Sequence, residues 1–138
     1  MIGDFKAALI LELDKDELNA ETYFGELADP KNFKVNLKAS PLILVDYVGD
    51  KPVNPLKKEH KFNLYITHIS YSKNKKTRIS KHNEIYDLLK DIDKKVALKS
   101  FVGSEPIVVG KSEKIYDSVV SAGYLTVFTK EISVVLDN

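Results

Sequence analysis

A long alternation of side chains between residues 61 and 72 constrains the fold of this chain more than any other feature. Successive side chains of a β-strand leave opposite faces, so a two-residue period rich in aromatic and β-branched types predicts a strand. The strand is long enough to extend beyond a core. The side chains expected on one face are Phe62, Leu64 and Ile66, and those expected on the other are Tyr65, Thr67, Ile69 and Tyr71.

Residues 42–48 predict a second, central strand. They are apolar at consecutive positions and therefore require cover on both faces. Pro41 precedes this strand, and Gly49 and Asp50 end it. The next segment, residues 51–59, contains two prolines and three lysines, which favours an exposed loop.

Two segments have apolar residues at helical spacing. The first helix is expected to run from the first residues to about Asn19, and Ser80 is the expected N-cap of the second. Leu88, at the centre of the second stripe, is expected to lie in the core. The first stripe consists of Ile2, Phe5, Leu9 and Leu13, and the second of Ile85, Leu88, Leu89 and Ile92.

The remaining chain predicts short strands, whereas residues 31–40 have no clear period. The order of elements indicates one α+β domain, residues 1–138. We expect a single mixed or antiparallel sheet with the two main helices packed on one face. The further strands are residues 22–24, 97–102, 107–109, 114–120 and 124–136, with Gly103, Gly110 and Gly123 as the turn residues that separate the later ones.

The sequence offers no motif for catalysis or for a cofactor. Cysteine is absent, which excludes disulfides, thiolate nucleophiles and cysteine-based zinc sites. His60, His68 and His82 lack a second ligand at metal-binding spacing, and only His68 is expected to be buried. Neither a Gly-x-Ser-x-Gly elbow nor a phosphate-binding loop occurs. We therefore expect no enzyme activity and no catalytic, cofactor-binding or metal-binding residues.

No membrane segment is expected either. The longest apolar runs fall far below the roughly 18 residues that a spanning helix needs. The first five residues lack the basic start and apolar middle of a signal peptide, which favours cytosolic synthesis.

The charges are unevenly distributed along the chain, although the net charge is only +1. Residues 1–50 hold five basic and ten acidic side chains, a net −5, whereas residues 51–100 hold thirteen and five, a net +8. Such asymmetry is typical of a nucleic-acid patch or of a molecule whose opposite faces attract each other in an assembly. If the two segments lie on opposite sides, a head-to-tail contact brings unlike charges together.

Two charged clusters are the candidate interaction residues. The acidic one, at the end of the first helix, is interpreted as a solvated helix end rather than as an acid/base pair. The basic one, residues 73–78, is open to three interpretations: a solvated loop, a protein interface or a nucleic-acid contact. We expect this loop to be mobile in the free subunit and ordered on assembly. The candidate residues are Lys73, Lys75, Lys76, Arg78, Asp14, Asp16 and Glu17.

The order of elements and two local motifs point to a known family. After the first helix come Thr22-Tyr23-Phe24-Gly25-Glu26-Leu27 and then Ser40-Pro41-Leu42-Ile43-Leu44-Val45. With the long strand, the second helix and the closing strands, the chain resembles, over nearly its whole length, a family of small tail proteins of Mu-like phages and prophages. The lysine-rich residues 51–61 and 73–81 have no counterpart in the family motifs.

The resemblance implies a tail terminator or a related tail-completion protein. Such α/β subunits form a ring that caps the tail tube and offers a joint to the head connector, and the resemblance implies no enzyme activity and no cofactor. The expected partners are thus other tail proteins and further copies of the chain. A hexamer is one candidate ring, and the subunit is expected to be monomeric when free.

The expected location is the virion tail and, during assembly, the host cytoplasm. An alternative is a nucleic-acid-associated protein that uses the basic segments 51–61 and 73–81. A third hypothesis is an enzyme whose motif the sequence does not reveal.

Overall fold

The computed structural model describes residues 2–15, 18–30, 41–70, 75–120 and 123–138, with the backbone alone for residues 75–82. Within these residues the chain is an α+β fold with one five-stranded mixed sheet and two helices, as the sequence predicts. The elements are α1 (Ile2–Leu13), β1 (Asn19–Thr22), a 3₁₀ turn (Glu26–Ala28), β2 (Leu42–Asn54), β3 (Lys57–Ser70), α2 (Lys75–Val96), β4 (Val108–Val120) and β5 (Gly123–Asp137).

The sheet has the strand order β1-β2-β3-β5-β4. The short strand β1 runs parallel to β2, and the other neighbours are antiparallel. The two edges of the sheet are therefore β1, with four residues, and β4, with thirteen.

Both helices contribute to one hydrophobic cluster on one face of the sheet, which we call the helix face. Phe5 of α1 and Ile85 of α2 are fully buried there, together with the even-numbered apolar residues of β3. Leu88 is 8% exposed, so the predicted core position is confirmed. The cluster also includes Leu9, Leu13, Ile43, Val45, Phe62, Leu64, Ile66, Ile92, Val96, Ile107, Ile132, Val134 and Leu136.

The opposite face of the sheet carries a second cluster. Leu42 and Leu44 of β2 belong to it, whereas Ile43 and Val45 belong to the helix-face cluster. All four side chains are buried, which confirms the predicted cover on both faces for residues 42–45, whereas Tyr47 and Val48 of the same predicted strand are exposed. The second cluster is completed by Ile69, Val120, Leu125 and Val127, with Tyr23, Leu27, Tyr65 and Tyr116 packed against it.

The expected exposed loop at residues 51–59 is wrong, because most of this segment forms the β2–β3 hairpin. Lys51 pairs with Glu59, and Pro52 pairs with Lys58. The described part of β1 covers only residues 42–45 of β2, so the outer half of β2 is an edge, where a proline is tolerated. Register shifts beside Gly49 and Pro52 show that these two residues mark bulges, whereas Pro55 lies in the turn between β2 and β3.

Both helices have ends that differ from the prediction. α1 ends at Leu13 instead of near Asn19, and Asn19 begins β1 in place of the strand expected at residues 22–24. α2 begins at Lys75, so Ser80 lies inside the helix and is not its N-cap. The expected loop at residues 73–78 is therefore wrong for Lys75 and the residues after it. Lys73 lies outside the described residues.

The C-terminal third has two strands rather than four. Residues 97–102 form turns and irregular backbone in place of the expected strand. Residues 107–109 and 114–120 fall into the single strand β4, apart from Ile107 just before it. Gly110 is inside β4 beside a register shift, so it belongs to a bulge and not to a turn. A Cβ at this position would lie 3.1 Å from the Cβ of Glu131, which explains the glycine.

Candidate interaction surfaces

The acidic candidates lie at the end of α1, but only Asp14 is described by the structure. Its Oδ1 accepts a hydrogen bond of 2.9 Å from the backbone N–H of Ala20, which braces the turn from α1 into β1. The residue is exposed, so this structural role leaves its charge at the surface. Asp16 and Glu17 lie outside the described residues.

The basic candidates Lys75, Lys76 and Arg78 fall in the first turns of α2. No Asp or Glu occurs among residues 75–83, where Lys81 adds a further positive charge. This start of the helix thus has a local net charge of +4.

The acidic and basic candidates lie near opposite ends of α2. Near its C-terminal end, the Nζ of Lys95 donates to the backbone carbonyl of Lys15, next to Asp14, at 3.4 Å. Lys75 is twenty residues earlier, which is about 30 Å along a helix that rises ~1.5 Å per residue. Tyr86, between them, packs on Phe128 of β5 at a ring distance of 6.5 Å. Asp93, near the C-terminal end of α2, contacts Lys130 of β5 at 2.6 Å. α2 therefore follows β5 along the helix face and reaches the α1 side through Lys95.

The two fifty-residue charge segments are not separated in the same way. β2 belongs mainly to the acidic segment and β3 to the basic one, yet they are neighbours in the sheet. Asp46 of the acidic segment pairs with Asn63 of the basic one, and Asp50 pairs with His60. The condition that the segments occupy opposite sides is therefore not met, although the described candidate residues themselves are far apart.

An open groove lies between the outer side of α1 and the edge strand β1. Its volume is about 380 Å³. Leu11 is 66% exposed in it. The other lining residues are Gly3, Lys6, Ala7, Ile10, Asp14 and Thr22, and we call this surface the α1 groove.

Three exposed apolar side chains lie on β4, at the other edge of the sheet, and on α2. Tyr86, Ile115 and Val119 are 50%, 49% and 66% exposed, and we call these three residues the β4–α2 surface. Tyr86 is close enough to Lys114, which precedes Ile115, to contribute to raising its pKa, although the largest cause is the hydrogen bond from Lys114 to Asp117.

A hydrogen-bonded group of three side chains lies on the β2–β3 hairpin. The Tyr47 hydroxyl is 2.8 Å from Nδ1 of His60 and donates to Oδ2 of Asp50 at 3.3 Å. His60 is 9% exposed, so the expectation that His68 alone would be buried is wrong. The hairpin places this histidine beside Phe62 on the helix face, which the loop prediction concealed.

The electrostatics of this group are those of a structural cluster. Desolvation is the largest cause that raises the pKa of Tyr47, with Asp50 adding to it. Desolvation also lowers the pKa of His60, against the opposing effect of Asp50. A hydroxyl that is harder to ionise is the opposite of an activated nucleophile, so the arrangement favours packing of the hairpin.

Other kinds of site receive little support from the described residues. No three His, Asp or Glu side chains among them are grouped so that they could hold a metal ion. Neither helix, in the part of the chain that is described, has a stretch long and apolar enough to cross a lipid bilayer.

The α1 groove and the β4–α2 surface were not predicted from the sequence. One signal for the groove was available, because α1 carries Ala7, Ile10 and Leu11 outside its core stripe and is therefore apolar around most of its circumference. Exposure of the β4–α2 surface depends on β4 being an edge strand, which no local pattern reveals.

Comparison with known proteins does not assign the chain to a family. No protein-family model matches the chain, and no curated protein matches it significantly. The fold and these surfaces are therefore the basis for a functional hypothesis.

Proposed function

We propose that the protein is a structural subunit of a phage or prophage tail, a tail terminator or tail-completion protein that forms a ring. The ring caps the tail tube and joins it to the head connector. The sequence resemblance suggests this class, and the α+β fold with one mixed sheet is compatible with it.

The observation that carries the proposal is the separation of Asp14 from Lys75. Two segments of unlike charge near opposite ends of one helix suit a head-to-tail contact, in which one end of a subunit meets the other end of the next. Repetition of such a contact generates a ring if the rotation closes. A two-fold contact, by contrast, requires one surface that complements itself.

The charges in this contact act mainly on specificity. Exposed ion pairs contribute little affinity, but complementary potentials steer association and fix the register of partners. The affinity must then come from apolar surface. The nucleic-acid alternative receives less support, because Lys51 and Lys57 lie near the carboxylates Glu59 and Glu105.

Removal of the protein from tail assembly tests the proposal. Particles are produced from a host that encodes the chain with its gene intact, deleted, or deleted and supplied from a plasmid, and are examined by electron microscopy. We expect deletion to give tails of irregular length without joined heads, and the plasmid copy to restore them. Normal tails and joined heads after deletion would overturn the proposal.

A further inference from the structure

We propose that the α1 groove of one subunit receives the β4–α2 surface of a second copy of the chain. This inference rests on the proposed ring and identifies the apolar part of its contact. The two surfaces lie at opposite edges of one sheet, because β1 and β4 are its outer strands. One repeated movement therefore brings the β4 edge of each subunit against the α1 side of the next.

Charge complementarity selects this occupant. The described residues 2–15 and 18–22, which form the α1 side, hold four carboxylates and two lysines, a net −2. The start of α2, on the same helix as Tyr86, has a net charge of +4. A second copy in head-to-tail orientation places these unlike charges together, whereas a two-fold contact through α1 would bring two acidic surfaces together.

Each of the two surfaces carries one apolar side chain that is largely exposed. Leu11 and Val119 are each 66% exposed, at the α1 groove and at the β4 edge respectively. Gly3 and Ala7 line the groove, and there is free space at Gly3, where a built Cβ meets no atom within 4 Å. Val119 therefore presents a β-branched side chain to a groove with small residues along it.

The contact is made by side chains and not by an added strand. β4 has register shifts between Val109 and Ser112 and between Lys114 and Tyr116. Bulges and charged residues on an edge strand prevent backbone pairing with another strand. The edge of β4 is thus protected from open-ended sheet extension while Val119 remains available.

Cross-linking tests the contact. Because the sequence contains no cysteine, an introduced cysteine is the sole thiol that can react. Leu11→Cys and Val119→Cys proteins are treated with a short bismaleimide, singly and mixed, at high protein concentration and low salt. The matched control mixes Leu11→Cys with Lys61→Cys, which is an exposed position on β3, a strand that β5 separates from β4.

We expect the Leu11→Cys and Val119→Cys mixture to give several-fold more cross-linked dimer than the control mixture, and the double variant to give a ladder of higher oligomers. Cross-linking should decrease in high salt. A yield no greater than the control, or efficient dimers of Leu11→Cys alone, would overturn the inference. A ladder together with normal tails after gene deletion would uphold the contact and overturn the tail function. Irregular tails after gene deletion, together with no cross-linked ladder, would uphold the tail function and overturn the contact.

Discussion

The ammonium of Lys130 on β5 lies 2.6 Å from Oδ1 of Asp93 on α2, where it ties the helix to the sheet. Lys130 is 2% exposed and also donates to the Ser112 hydroxyl at 2.6 Å, whereas the Asp93 side chain is 44% exposed. That Oδ1 atom is buried and accepts no well-aligned hydrogen bond from the described residues, so the contact is chiefly a charge–charge one.

The two partners should therefore respond unequally to substitution. Asp93→Ala leaves a buried ammonium without its counter-charge, and we expect a loss near the lower end of the roughly 3–5 kcal/mol for breaking a buried pair. Lys130→Met removes the buried charge itself and leaves a carboxylate that water can reach, so its effect should be smaller. Urea unfolding of both variants measures this, and an equal or reversed order would contradict the assignment.

Leu88→Ala tests the packing of α2 on the helix face. Leu88 is buried in the main cluster, and truncation of such a leucine leaves a cavity with a loss of about 2–5 kcal/mol. Tyr86→Ala, on the exposed side of the same helix, is the control and should change the free energy of unfolding much less. An unaltered urea midpoint for Leu88→Ala would remove α2 from the core.

His60 predicts a dependence of stability on acid. Burial lowers its pKa in the folded state below the ordinary value of 6.5, so folding favours the neutral ring. The stabilisation is present above pH 6.5 and is lost as the pH falls from there through the folded-state pKa. Urea unfolding across this pH range should show that the free energy of unfolding falls more steeply in the parent protein than in His60→Gln. Parallel curves would show that the ring is not desolvated.

Reversal of the basic start of α2 tests the charge-steered contact. Lys75, Lys76 and Arg78 changed to Glu should weaken assembly but leave the fold intact, because acidic side chains are favourable at a helix N-terminus. The control changes Lys51, Lys61 and Lys99, which are exposed on other parts of the chain, to Glu. Complementation of the gene deletion, scored by tail length, distinguishes them. Equal activity of both triple variants would indicate that the basic residues are only solvated and make no contact in the assembly.

The sequence predicts best where one periodicity decides the structure. Leu88 and Phe62 lie in the core as their spacing indicates, because burial of an apolar stripe dominates over local preferences. Pro52 and Gly110 misled the prediction, since turn residues are also tolerated in edge strands and bulges, and edge position depends on long-range pairing. The start of α2 was missed because the repulsion of its like charges favoured a loop, although lysine and arginine have good intrinsic helix propensity.

The most direct test of the proposed head-to-tail ring is electron cryomicroscopy of the head-proximal end of the tail. We expect a ring of identical subunits at the joint, with Leu11 of each subunit against Val119 of the next and the start of α2 facing Asp14 of its neighbour. A joint that lacks this chain would contradict the proposed tail function, and a joint in which its copies meet through two-fold contacts would contradict the proposed head-to-tail ring.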